Sequence, residues 1–188
     1  MTLTLIIVLT LLIGINAYLA YQHLHKHFNS PVLEAMRTIN VVYDILYEIV
    51  NETKVSKASI ARSCHTCTEP YAEMLYDSYI ENGERYNLKY NRIPIDADIV
   101  AELKEVSKGF IPSVLVKNLP QNQKRELYEQ EGIIYSETHL IVEVGNSQYV
   151  IVLHFMHDDY VLPEEESEIV DDKIARLVKL FKLNTKDL

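Results

Sequence analysis

IIYSETHLIVEV (residues 133–144), the turn Gly145-Asn146-Ser147 and QYVIVLHFM (residues 148–156) form the stretch that decides the fold. Two runs rich in β-branched residues meet across a glycine-containing turn, the pattern of a β-hairpin. On its C-terminal side HDDYVLPEEESE makes an acidic loop. A helix is then expected over about 164–182, with Ile169, Ile174, Leu177, Val178 and Phe181 on one face. Glu164, Glu165 and Glu166 would lie at its positive end, and Lys179 and Lys182 at its negative end. On the N-terminal side, residues 121–130 read as a polar helix or turn and residues 113–116 as a brief strand. Asp96 or Asp98 can cap a short helix through IVAELKEV, with Gly109 able to end it.

Further back the signals are mixed. Tyr86, Leu88 and Tyr90 alternate with Asn87 and Lys89, the period of a half-buried strand. The segment TEPYAEMLYDSYIENG (residues 68–83) offers a Thr cap, an early Pro, apolar residues at Tyr71, Met74, Leu75 and Tyr79, and an Asn82-Gly83 stop, and so predicts a helix. Residues 55–63 read as a strand. Ser30 and Pro31 can start a helix that keeps Val32, Met36, Ile39, Val42, Leu46 and Ile49 on one stripe through residue 50. That helix can lie on the domain's sheet or pair with a second copy of itself.

The chain has 188 residues and a formal charge of −9, from 18 Lys plus Arg against 27 Asp plus Glu, which disfavours a nucleic-acid grip. With 48% hydrophobic residues, 5 Gly and 6 Pro it is a packed chain rather than a disordered one. Nothing in residues 1–22 carries a charge, and residues 3–21 are long enough to cross a ~30 Å hydrocarbon layer as a helix. A cleaved signal peptide would want a basic start and small residues at −3 and −1, but no Lys or Arg precedes the run and a cut after Ala17 or Ala20 would put Ile15 or Tyr18 at −3. The expected organisation is a membrane anchor over 1–22, a juxtamembrane segment over 23–30 and a globular domain over 31–184. Lys26 and Arg37 follow the span with no Lys or Arg before it, which favours the cytoplasmic side for the domain over the periplasmic or extracellular side.

The order helix, strand, variable middle, strand, hairpin, acidic Pro loop and terminal helix resembles a GAF-like domain. The residues that carry the resemblance are Thr138–Val144, Gly145, Tyr149–Phe155 and Pro163–Phe181. It implies an α/β (α+β) fold, with an antiparallel sheet and flanking helices, serving as a non-enzymatic sensory or binding module. One span joined to such a domain is similar to small membrane-anchored proteins of phage and bacteria, and in plan to large single-span phage holins, which implies a role in membrane permeabilisation or its timing as an alternative. The sequence lacks a basic N-terminal segment of the holin kind and any cyclic-nucleotide-binding signature.

Chemistry in the chain is sparse. Cys64-His65-Thr66-Cys67 holds two thiols at a spacing that suits incidental loop cysteines, a disulfide or redox switch, or, with His65 and a further ligand, a metal. His23, His25 and His27 fit an interfacial flank. His154 and His157, beside Asp158 and Asp159, read as a solvated strand end, since GxSxG, HExxH, GxxxxGK[ST] and GxGxxG are all absent. Among 13 Tyr, the residues Tyr71, Tyr76, Tyr79, Tyr86 and Tyr90 could line a ligand cleft or partner site, or form an ordinary sheet face. No cofactor is expected. The partners expected are membrane lipid, a second copy through helix 31–50, and a protein or small-molecule ligand.

Overall fold

A computed structural model describes residues 31–64, 66–78, 80–81, 84–85 and 93–184. The expected anchor over 1–22, the histidines at 23, 25 and 27, and the strand over 86–90 lie outside them. No helix of the described residues is long and apolar enough to cross a membrane. The chain divides into a unit Met1–Val41 and a compact unit Val42–Leu188.

Helix α1 spans Pro31–Glu52 and delivers Val42, Ile45, Leu46 and Ile49, all essentially inaccessible, to the core. Their spacing of three and four residues is the reason, because it aligns them on one helical face. Strand β1, Lys57–Cys64, then pairs antiparallel with β2, Tyr71–Asp77. Short strands β3 (Ile80–Glu81), β4 (Glu84–Arg85) and β5 (Ile93–Pro94) precede helix α2, Ala97–Ser107. The Asp96 side chain caps α2, accepting from the Asp98 and Ile99 amides at 3.1 and 3.0 Å. After β6 (Ser113–Leu115) and a 3₁₀ turn (Val116–Asn118), helix α3 (Gln123–Gln130) begins where Asn122 accepts from the Arg125 amide at 3.0 Å. The hairpin is β7 (Tyr135–Val144) and β8 (Ser147–Phe155), and α4 (Glu164–Asn184) closes the described chain.

Six strands form one sheet in the order β5-β2-β1-β8-β7-β6, with every neighbouring pair antiparallel. Alternation along the strands gives the sheet two unlike faces. One carries Ala58, Ile60, Ile151, Leu153 and Phe155 and packs against α1 and the α4 residues Val170 and Leu177. Glu48 of α1 ties to α4, accepting from Lys173 Nζ at 2.6 Å and Arg176 Nη1 at 3.0 Å. The other face carries Ala61, Leu140, Val150 and Val152 under the α2 residues Leu103 and Val106.

One expectation is corrected. Residues 71–77, placed in a helix within the segment 68–83, form strand β2. The register jumps between Ile60 opposite Tyr76 and Ala61 opposite Met74, so Leu75 is an extra residue, a β-bulge. That insertion breaks the alternation and leaves apolar residues at a spacing that mimics a helix. Pairing with β1 then outweighs the local pattern.

Candidate functional site

Between the second sheet face and helices α2 and α3 lies a cleft of about 570 Å³. Its floor is built from Ser59, Ala61 and Ser63 of β1, Ala72 and Met74 of β2, and Val150, Val152 and His154 of β8. Each set recurs at i, i+2, so each strand contributes one side of its pleat. Ile95, Ile99 and Leu103 on and before α2, with Leu127 and Tyr128 of α3, form the roof. The Asp96 and Asn122 caps matter here because they fix where the two roofing helices start.

Polar groups in this cleft fall into two kinds. The charged ones are neutralised by neighbours. In a smaller adjoining pocket that shares Met74 and His154 with the cleft, the buried Lys57 lies 3.1 Å from Asp77 Oδ2 and 2.8 Å from Glu131 Oε2. Burial is the largest influence on this ammonium and opposes its charge, but Asp77 and Glu131 outweigh it and hold the pKa above the usual lysine value. Lys124 pairs with Glu102, whose Oε1 also accepts from Thr138 Oγ1 at 3.1 Å. Its pKa too is raised: burial opposes the charge, while Tyr128 and Glu102 support it.

Three uncharged ones are not satisfied. Ser59 and Ser63 are 1% exposed and His154 4% exposed, and neither hydroxyl oxygen nor His154 Nδ1 has a hydrogen-bond partner among the described residues. Most buried polar atoms are paired, so three orphans around one cleft are unusual. The His154 ring meets Tyr128 edge-on, with centroids 5.3 Å apart. Burial, followed by the nearby Lys57 and Lys124 charges, pushes the His154 pKa down to about 3, so the ring is neutral across the physiological range. The sequence reading of His154 as a solvated strand end is therefore corrected: alternation turns it inward, whereas His157 is exposed and makes a 2.7 Å contact from Nε2 to the Lys54 carbonyl.

Of the five tyrosines, the described Tyr71 and Tyr76 do not line this cleft. Tyr76 lies on the α1 side of the sheet, its ring edge-on to Tyr43 at 5.5 Å, and burial raises its pKa. Tyr71 is half-buried opposite Cys64 in the β1–β2 register. Tyr79, Tyr86 and Tyr90 lie outside the described residues, as does His65. Cys64 and Cys67 form a disulfide. In that state neither sulfur is the thiolate a metal would need. Among the described residues, no group of three or more His, Cys, Asp or Glu side chains could hold a metal ion. Sequence reading passed over Ser59, Ala61 and Ser63, although the run KASIARSC already puts small residues at every second position.

No family model matches the chain, and no curated protein does. Solved structures do. It is similar to the GAF domain/HD domain protein from Geobacter sulfurreducens, at 11% identity, with a TM-score of 0.56 over 76% of this chain and 90% of that one. A far-red cyanobacteriochrome photoreceptor matches at 12% identity and a TM-score of 0.56, over 88% of this chain and 97% of the other. The GAF domain of a two-component sensor histidine kinase from Bacillus halodurans matches at 7% identity and a TM-score of 0.51, over 75% and 95%. At such identities the likeness is one of architecture, and it establishes that the chain has a GAF-like fold: mixed α and β, with an antiparallel sheet and flanking helices.

Proposed function

We infer that this chain is a non-enzymatic binding module that takes a small molecule between its sheet and helices α2 and α3, and is tethered to lipid by residues 1–22. The observation that carries it is the cleft of about 570 Å³ with an apolar floor and three buried, unpartnered polar atoms. That volume falls in the range of small-molecule sites, which are mostly apolar with a few polar groups that set orientation. The solved photoreceptor and sensor-kinase domains of the same architecture support a sensory role. Helix α1 would carry the response toward the membrane or a second copy, using the exposed Tyr47. A thermal-melt screen of the full chain against a varied small-molecule panel, repeated with Ala61→Phe to fill the floor, tests it. Compounds that raise Tm only in the unfilled protein are expected; a panel in which none does so refutes it.

A second reading, a thiol switch, is favoured by the Cys64–Cys67 disulfide. Cys64 directly follows Ser63 of the cleft floor. Two electrons and two protons from a dithiol reductant would give two thiols and an oxidised reductant, freeing the connection into β2. Disulfides persist in oxidising compartments, so the pair supports the non-cytoplasmic side of the membrane over the cytoplasmic side favoured by Lys26 and Arg37. Accessibility of Cys64 and Cys67 to a membrane-impermeant thiol label, with and without reductant, decides both points. Labelling from outside only after reduction is the expected result.

A further inference from the structure

The geometry points to the chemical class of the ligand: a flat, uncharged aromatic molecule about two fused rings long, with a hydrogen-bonding group at each end. This rests on the binding role above and deepens it. Ser59 and Ser63 lie four residues apart on one face of β1, which at ~3.3 Å per residue separates them by roughly 13 Å. Subtracting two O–H···O hydrogen bonds of ~2.8 Å leaves roughly 7–8 Å between the ligand's own polar atoms, the span of a fused bicycle substituted at opposite ends. Between the two hydroxyls the floor is Ala61, with Met74 and Val150 beside it. These apolar side chains make a floor that suits a planar ring and offers nothing polar to its middle. At the Ser59 end His154 Nδ1 adds a second orphaned group. Neutral imidazole and hydroxyls can each donate or accept, so the end groups of the ligand are hydroxyl, carbonyl or ring nitrogen rather than ions.

Charge argues the same way. One lysine, Lys124, lines the cleft against Asp96, Glu102 and Glu126. Lys124 is occupied by Glu102, Asp96 by the amides of α2, and Lys57 by Asp77 and Glu131. Among the described residues that line the cleft, a phosphate or carboxylate would meet three acidic side chains and, in Lys124, a cation already paired with Glu102. An ammonium would leave water for an apolar floor whose Ser59 and Ser63 hydroxyls carry no charge to offset its own.

Four naphthalenes of one shape test this by calorimetric titration of the full chain: 2,6-dihydroxynaphthalene, unsubstituted naphthalene, naphthalene-2,6-dicarboxylate and 2,6-bis(aminomethyl)naphthalene. The diol is expected to bind one site, with naphthalene weaker by about 3- to 10-fold per lost hydroxyl and both charged compounds at least tenfold weaker than the diol. Ser59→Ala and Ser63→Ala each remove an unpartnered atom and should leave the fold intact. Each should weaken the diol about 3- to 10-fold and leave naphthalene unchanged. The proposal is overturned if a charged analogue binds as tightly as the diol, if the serine variants affect diol and naphthalene alike, if they affect neither, or if none of the four binds. Where none binds but other panel compounds raise Tm and Ala61→Phe abolishes that rise, the class is wrong and the binding role stands; where nothing does, both fall.

Discussion

His154 should make the folded protein acid-sensitive in a pH window set by one side chain. The ring is buried between Tyr128 and two ammonium groups, and its pKa is pushed down from 6.5 to about 3. The sign follows from proton counting. Between about pH 6.5 and pH 3 the unfolded chain binds a proton at this imidazole and the folded chain does not, so acid favours unfolding. The stability is fully present above pH 6.5 and is lost as pH falls toward 3. Each pH unit corresponds to ~1.4 kcal/mol, so lowering the pH from 7.5 to 5.0 removes about 2 kcal/mol through His154 alone. Carboxylates whose folded pKa is depressed also lose stability in acid. Glu48 is held down first by its bond from Lys173, Glu137 by His139, and Asp159 by Lys54. Their contributions are present above the unfolded values of 4.5 and 3.8 and fade below them. They act equally in a His154→Gln variant, so the difference between the two proteins isolates the imidazole. Urea unfolding followed by far-ultraviolet circular dichroism at pH 7.5, 6.5, 5.5 and 5.0 measures it. The wild type should lose about 2 kcal/mol more than the variant over that range. Equal losses, or an imidazole titrating near 6.5 in the folded state by nuclear magnetic resonance, would refute the inward placement of His154.

Other substitutions probe the same architecture. Lys57→Met removes the ammonium beside the Asp77 carboxylate, 2% exposed, and should destabilise by about 3–5 kcal/mol in urea melts, while Lys57→Met with Asp77→Leu should recover much of that. Replacing both Cys64 and Cys67 by Ser opens a closed loop only three residues apart in sequence, so the loss should be modest, ~2 kcal/mol by chain entropy, read as a lower Tm. Gly145 turns the hairpin at φ 58°, so Gly145→Val should cost ~1–2 kcal/mol and Gly145→Asn much less, by the same melts.

What could be read from the chain depended on whether the determining contacts were local. The β7–β8 hairpin was legible because turn and strand chemistry are contiguous, and α2 because Asp96 caps it from the next residue along. The fold class followed from the order of such elements. β2 was hidden because its identity comes from pairing with β1, and the bulge at Leu75 disguises its period. The cleft was less legible still. Chemistry was sought in conspicuous residues, the tyrosines and the CxxC, whereas the floor is made of Ser59, Ala61 and Ser63, which attract notice only once α2 and α3 are seen to roof them. His154 was misread for a related reason. It sits near an acidic loop in sequence, but the pleat of β8 turns it the other way.

The serines of β1 pose a question that stability alone does not answer. Leaving a buried hydroxyl unpaired costs roughly 1–3 kcal/mol, and alanine at 59 or 63 would avoid that with nearly the same shape. Ala61 stands between them on the same face, so the backbone there plainly accepts alanine. The opposite face of β1 follows the stability rule, with Ala58 and Ile60 packed under α1. Two unpaired hydroxyls on the roofed face, on the same side of the sheet as a third orphan at His154, are where a departure from good packing is expected to reflect binding rather than folding. On that logic Ser59→Ala and Ser63→Ala should hold or raise Tm while weakening the ligand. A single variant that moved both quantities downward together would show instead that the hydroxyls belong to the fold.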